Sequence, residues 1–143
     1  MQLLPSTASF IASDRSLQKQ QRDKLLEQDL NLALGQRYVQ HLMEQGDIRG
    51  NLMLTVTAYN GGPGNLSKWM KAMGAVTDPL LFIEKIPVFE TRDFAERLLA
   101  NFWIYHARLG LTSPSLDNLA GGYWPIYENL ETTTRTASIN GRN

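Results

Sequence analysis

The segment that most constrains the fold of this chain is residues 52–59, Leu-Met-Leu-Thr-Val-Thr-Ala-Tyr, which is apolar on nearly every side. A helix of that character has to be buried centrally and covered by other elements. Its ends are marked by backbone breakers. Gly46, Gly50, Gly61, Gly62 and Gly64 account for five of the chain's 11 glycines, so irregular backbone is concentrated around this one segment. At 143 residues, with 43% apolar and 20% charged content, the chain is long enough to close a core around it as one domain.

The flanking segments carry helical periods. Pro5-Ser6-Thr7 reads as a helix start. Residues 13–28 are polar and read as a solvated helix or connection. Asp29 is placed to cap a helix to Gln45, with Leu30, Leu34, Tyr38 and Leu42 at four-residue steps and Gly46 as a left-handed cap. Gly50-Asn51 offers an N-cap for the central helix. Asn65 is read as the cap of a helix to Met73 that puts Leu66, Trp69, Met70 and Met73 on one face. Asp78-Pro79 opens a short helix that Ile86-Pro87 ends. The longest helix spans residues 89–109, with Phe94, Leu98, Phe102, Tyr105 and Leu109 in helical period and Gly110 as the stop. Beyond it, Leu116, Leu119, Tyr123, Trp124, Ile126 and Tyr127 suit an arm strapped onto the domain, followed by a polar, frayed end at residues 132–143. No strand alternation persists, so the class is all-α.

Composition narrows the function. Fourteen Lys and Arg balance 14 Asp and Glu, so there is no basic field for nucleic acid or an anionic membrane. No Cys is present, which removes disulfides, thiol catalysis and Cys-ligated zinc. No apolar run approaches a membrane span, and the first residues lack the basic and apolar regions of a signal peptide. His41 and His106 stand alone, short of the three or four ligands zinc requires, and are read as surface or interface residues with no metal and no cofactor.

Two segments carry candidate chemistry. In the first, Tyr59 and Asn60 stand where the buried helix meets Gly61-Gly62-Pro63-Gly64. Tyr can offer a face to a sugar ring, and Asn can both donate and accept as sugar hydroxyls require. Equally, Asn60 can simply end the helix while Tyr59 packs in the core. In the second, Ile86-Pro87-Val88-Phe89-Glu90-Thr91-Arg92, Glu90 falls in the first turn of the long helix, where a carboxylate is favoured. It is either a capping or ion-paired acid or a carboxylate facing a cleft.

These residues also resemble a known family, the soluble lytic transglycosylases. Met1-Gln2-Leu3-Leu4-Pro5-Ser6-Thr7-Ala8 is similar to the segment that follows that family's catalytic Glu. Ala58-Tyr59-Asn60-Gly61-Gly62-Pro63-Gly64 resembles its Ala-Tyr-Asn-Ala-Gly-Pro-Gly signature, with Gly61 where Ala is usual. Residues 86–92 resemble its Ile-Pro signature ending Glu-Thr-Arg. The long helix with Trp103 and Tyr105, ending Arg108-Leu109-Gly110, matches the expected finish. The resemblance covers residues 1–110 as the transglycosylase domain and leaves 111–143 as a C-terminal arm and tail.

The resemblance implies a lysozyme-like helical fold acting on peptidoglycan glycan strands in the periplasm or cell envelope. It implies cleavage of the MurNAc–GlcNAc β-1,4 bond by one Glu, with the muramoyl C6 hydroxyl closing an anhydro ring. Met1, Gln2, Tyr59, Asn60 and Glu90 match substrate-contacting positions. The general acid itself belongs to a Glu-Ser motif expected before Met1, so no catalytic residue is assigned within these 143 positions. Glu90, favoured as a carboxylate by its helix terminus, is read as a helper. Without the acid-bearing helix, apolar surface near Leu3, Leu4 and the central helix is expected to promote self-association. The alternative function is a non-catalytic glycan-binding module that keeps Tyr59, Asn60 and Glu90.

Overall fold

The computed structural model describes residues 3–128. Met1, Gln2 and the polar end at 132–143 lie outside them. The described residues contain seven α-helices: α1 (Pro5–Ala12), α2 (Gln28–Glu44), α3 (Leu52–Gly61), α4 (Pro63–Met73), α5 (Pro79–Glu84), α6 (Phe89–Arg108) and α7 (Pro114–Ala120). No strand occurs among them, only an isolated antiparallel bridge between Asn51 and Ile126. The all-α expectation therefore holds. No helix among the described residues is long and apolar enough to cross a membrane. The chain forms two compact units, divided between Arg49 and Gly50.

In the first unit, α1 packs on α2 and on two short 3-10 helices, Arg15–Gln18 and Arg22–Leu26. The polar stretch at 13–28 is thus neither a continuous helix nor unstructured. Its turns are fixed locally: Ser13 adopts left-handed backbone at φ 54, and the Asp14 carboxylate accepts from the Ser16 amide at 2.8 Å. Hydrogen bonds from Ser16 hold the Asp14 carboxyl below its usual range. Leu17 and Leu25 are buried with Leu34, Tyr38 and Leu42 of the α2 stripe. Two expectations at the ends of α2 fail. Asp29 lies inside the first turn, with Glu27 in the cap position, and Gln45 ends the helix in extended backbone, so left-handed φ falls at Arg49 rather than Gly46. Leu3 is buried, whereas Leu4 and Phe10 are exposed and the Phe10 ring meets the edge of His41 at 5.4 Å.

Burial raises the Tyr38 phenol above its ordinary value of 10.0. The folded chain then holds that proton more tightly than the unfolded one. The resulting stability is full below pH 10 and is lost as pH rises through the raised value. The urea midpoint should therefore fall more between pH 8 and 11 in the wild type than in Tyr38→Phe.

In the second unit, α3 is the core. Every residue from Leu52 to Ala58 is buried, as its composition demands, and the expectation of exposed apolar surface there does not hold. Asn51 caps it, its side-chain oxygen accepting from the Met53 and Leu54 amides at 3.0 and 3.2 Å. The Thr55 and Thr57 hydroxyls donate to the carbonyls of Asn51 and Met53, which makes them tolerable in an apolar core. Among the described residues α3 packs most extensively on α6. The face of α6 so buried carries Thr91, Ala95, Leu99 and His106. The apolar period read from sequence lies to one side of it: Leu98, Tyr105 and Leu109 are exposed. Small Thr91 and Ala95 permit close approach to α3, and that outweighs side-chain apolarity.

The C-terminal arm is ordered, but its first part is helical. Trp103 Nε1–H donates to Ser115 Oγ at 3.0 Å, and the His106 Nδ1–H donates to the Thr112 carbonyl at 3.0 Å, tying α7 and the loop before it to α6. His106 is therefore a buried structural residue and not a surface one. After α7 the chain returns to the start of α3. The Leu52 amide donates to the Pro125 carbonyl and the Tyr127 amide to the Gly50 carbonyl, both at 2.8 Å. Pro125 is buried and Trp124 meets Phe82 edge-on at 5.5 Å, while Tyr123 and Leu116 stay exposed.

Candidate functional site

The site is built where α3 ends. Gly62, at φ +85, gives the left-handed turn that separates α3 from α4, and Pro63 starts α4 at a position that needs no amide proton. Asn65 does not cap α4 as its position suggested. Its side-chain amide donates backward to the Gly61 carbonyl at 2.8 Å and closes the end of α3.

Gly61 explains its own departure from the usual Ala. A Cβ there would stand 2.8 Å from Trp69 Cη2, 2.9 Å from Cζ3 and 3.2 Å from Thr91 Cγ2. The Trp69 ring occupies the space a methyl would take. Gly61→Ala should cost about 1–3 kcal/mol from overpacking, offset by up to about 1 kcal/mol of helix preference. In a Trp69→Leu background the same change should turn stabilising. Chemical denaturation of the four proteins measures that reversal of sign.

The two signature segments meet here. Thr91 Oγ1–H donates to Asn60 Oδ1 at 2.8 Å, across 31 positions of sequence. Tyr59 stacks on Phe94, with centroids 6.3 Å apart and planes 7° from parallel. Phe94 stands four residues after Glu90, on the same face of α6, and its side chain leans toward the helix N-terminus. Tyr59, Asn60 and Glu90 are thus brought to one end of the α3–α6 pair. Asn60 and Glu90 are exposed, Tyr59 is half-buried, and its hydroxyl is buried. The ring packing of Tyr59 on Phe94 fits the core reading of that residue.

Three further residues hold this corner, though sequence reasoning assigns them no role at the site. Arg92 donates to the Glu84 carbonyl at 3.1 Å, approaches the Glu84 carboxylate at 3.8 Å and lies 5.6 Å from the Phe89 ring, joining the end of α5 to the start of α6. Thr91 is buried and holds Asn60. Phe94 backs Tyr59. The i, i+4 spacing of Glu90 and Phe94 could have flagged Phe94. The Asn60–Thr91 pairing left no signal in either segment. Met1 and Gln2, the other expected site residues, lie outside the described residues.

Among the described residues no cluster of His, Asp or Glu could hold a metal ion. Each described Asp and Glu is exposed or half-exposed.

The comparisons with known proteins agree with these signatures. No solved structure matches the chain. It is 31% identical over 111 residues to the soluble lytic murein transglycosylase of Salmonella typhimurium (strain LT2), covering 77% of this chain and 17% of that protein. The corresponding Escherichia coli (strain K12) protein is 30% identical over the same shares. The chain thus spans about a sixth of the length of these relatives. The sequence model of the Transglycosylase SLT domain matches residues 1–81, which include Tyr59 and Asn60 but not Glu90. With more than half of its length matched, and with an all-helical fold in keeping with a lysozyme-like domain, the chain belongs to the transglycosylase SLT domain family.

Proposed function

We propose that this chain supplies a glycan-binding wall of a peptidoglycan lytic transglycosylase, acting in the cell envelope on the MurNAc–GlcNAc β-1,4 bond. In that reaction a carboxyl group protonates the glycosidic oxygen as the bond to C1 breaks. The muramoyl C6 hydroxyl then bonds to C1 and gives up its proton to the same carboxylate, leaving the anhydro ring. Tyr59, Asn60 and Glu90 would contact the sugar.

The observation that carries this reading is the Thr91–Asn60 hydrogen bond, which joins the Tyr-Asn and Glu-Thr-Arg segments of an SLT-family chain at one corner. A second reading, glycan binding without cleavage, is favoured by the absence of any buried carboxylate among the described residues, since a general acid active near neutral pH needs an apolar setting to stay protonated.

Both readings require sugar binding. A wall offering a few hydrogen bonds of about 0.5–1.5 kcal/mol net each gives millimolar affinity after association entropy. Titrating the 143-residue chain with chitooligosaccharides should move the NMR signals of Asn60, Gly61 and Glu90 in fast exchange. Asn60→Ala and Glu90→Gln should weaken binding about two- to tenfold, while His41→Ala leaves it unchanged. Unmoved signals at Asn60 and Glu90 would exclude a glycan site at this corner.

A further inference from the structure

The Thr91–Asn60 hydrogen bond fixes more than the meeting of two helices. Thr91 is 2% exposed, so its hydroxyl proton has to find a partner inside the protein. It is the third residue of α6, and the residue four positions before it, Pro87, precedes the helix. The usual refuge of a helical threonine, the carbonyl one turn back, is therefore not a helical carbonyl here. In the structure the proton goes to Asn60 Oδ1 at 2.8 Å. This sets which end of the Asn60 amide is which: the oxygen points at Thr91, and the NH2 group is left outward. Asn60 is exposed, and its Nδ2 makes no hydrogen bond to any described residue.

Asn60 can therefore be more selective than its residue type suggests. A loose asparagine both donates and accepts, and suits any sugar hydroxyl. An asparagine whose oxygen accepts from a buried hydroxyl turns both N–H donors outward and keeps only one lone pair, on the side facing the protein, for any other donor. Its best complement is a group that only accepts. On an amino-sugar glycan the strongest such group is the acetamido carbonyl, because hydroxyls also bring a proton to be placed and the ring and glycosidic oxygens are weaker acceptors.

We infer that Thr91 is a positioning residue that makes Asn60 a donor, and that Asn60 thereby recognises the N-acetyl carbonyl of the glycan. The inference rests on the proposed glycan site for its ligand but not for the amide orientation.

The test uses the full 143-residue chain, its Thr91→Val variant, which keeps shape but loses the hydroxyl, and Thr91→Ser, which keeps the hydroxyl. Relaxation of the Asn60 side-chain ¹⁵N amide should show a rigid group in the wild type and in Thr91→Ser, and a mobile one in Thr91→Val. Equal mobility in all three would overturn the positioning role, whatever the ligand. Binding of chitotetraose is then compared with that of its fully de-acetylated counterpart. The wild type and Thr91→Ser should prefer the acetylated oligomer about three- to tenfold, the worth of one hydrogen bond, and Thr91→Val should lose that preference. Retention of the preference in Thr91→Val would overturn the inference. A rigid amide in a wild type that binds neither oligomer would overturn the acetyl assignment and the glycan reading while leaving the orientation in place.

Discussion

Phe82→Ala should destabilise the protein by about 3–5 kcal/mol, a large share of the roughly 5–15 kcal/mol that holds a domain folded. Phe82 is 2% exposed and is among the largest fully buried side chains. It lies on α5, and the Trp124 ring stands edge-on to it at 5.5 Å. Removing it opens a cavity under the returning arm and ends a ring pair worth about 0.5–1.5 kcal/mol beyond area burial. Two comparisons separate these effects. Leu81→Ala, at a position 46% exposed, should cost less than about 1 kcal/mol. Trp124→Ala should cost less in the Phe82→Ala background than alone, because the pair is already gone. Equilibrium urea unfolding gives all four values. A Phe82→Ala cost as small as that of Leu81→Ala would mean that the arm and α5 are not packed as described.

The 143-residue chain alone should release no anhydromuropeptides from purified sacculi above the level of buffer. The acid of this reaction must carry a proton to the leaving oxygen and then take one from the C6 hydroxyl. At neutral pH a carboxyl does so when an apolar site disfavours its charge. The described carboxyls lack such a site, Glu90 included, since it is exposed at the start of α6. Mass spectrometry of the digest is the measurement. Anhydro products that vanish in Glu90→Gln would make Glu90 the acid and replace the wall with a complete centre.

Much of the fold could be read from the residues because its signals are local. Asn51 and Asp78 cap α3 and α5, with Asp78 accepting from the Leu80 and Leu81 amides, and a cap needs only its own few neighbours. The burial of α3 follows from the absence of a polar face. What escaped reading depends on distant partners. The buried face of α6 is set by how closely Thr91 and Ala95 let α3 approach and by the Thr112 carbonyl that accepts from His106. A period of large apolar residues points to a neighbouring face instead. At the site, the motifs named Tyr59, Asn60 and Glu90 together, yet the bond that joins them runs through Thr91, whose place in the Glu-Thr-Arg segment does not show its partner. The helical form of 114–120 was hidden because the contact that fixes it, Trp103 to Ser115, and the His106 bond to the preceding Thr112 both come from another element.

The clasp between the start of α3 and the returning arm has a consequence for synthesis. The first unit can complete its internal contacts once Arg49 has left the ribosome. The amide of Leu52 and the carbonyl of Gly50 find their partners only when Pro125 and Tyr127 emerge. That is roughly 75 residues later, or about 4–15 s at ordinary translation rates. Throughout that interval α3, buried from Leu52 to Ala58 in the finished fold, has one end unfastened. A ribosome stalled within α6 would therefore hold a nascent chain whose first unit is finished and whose second is still open to chaperones and proteases.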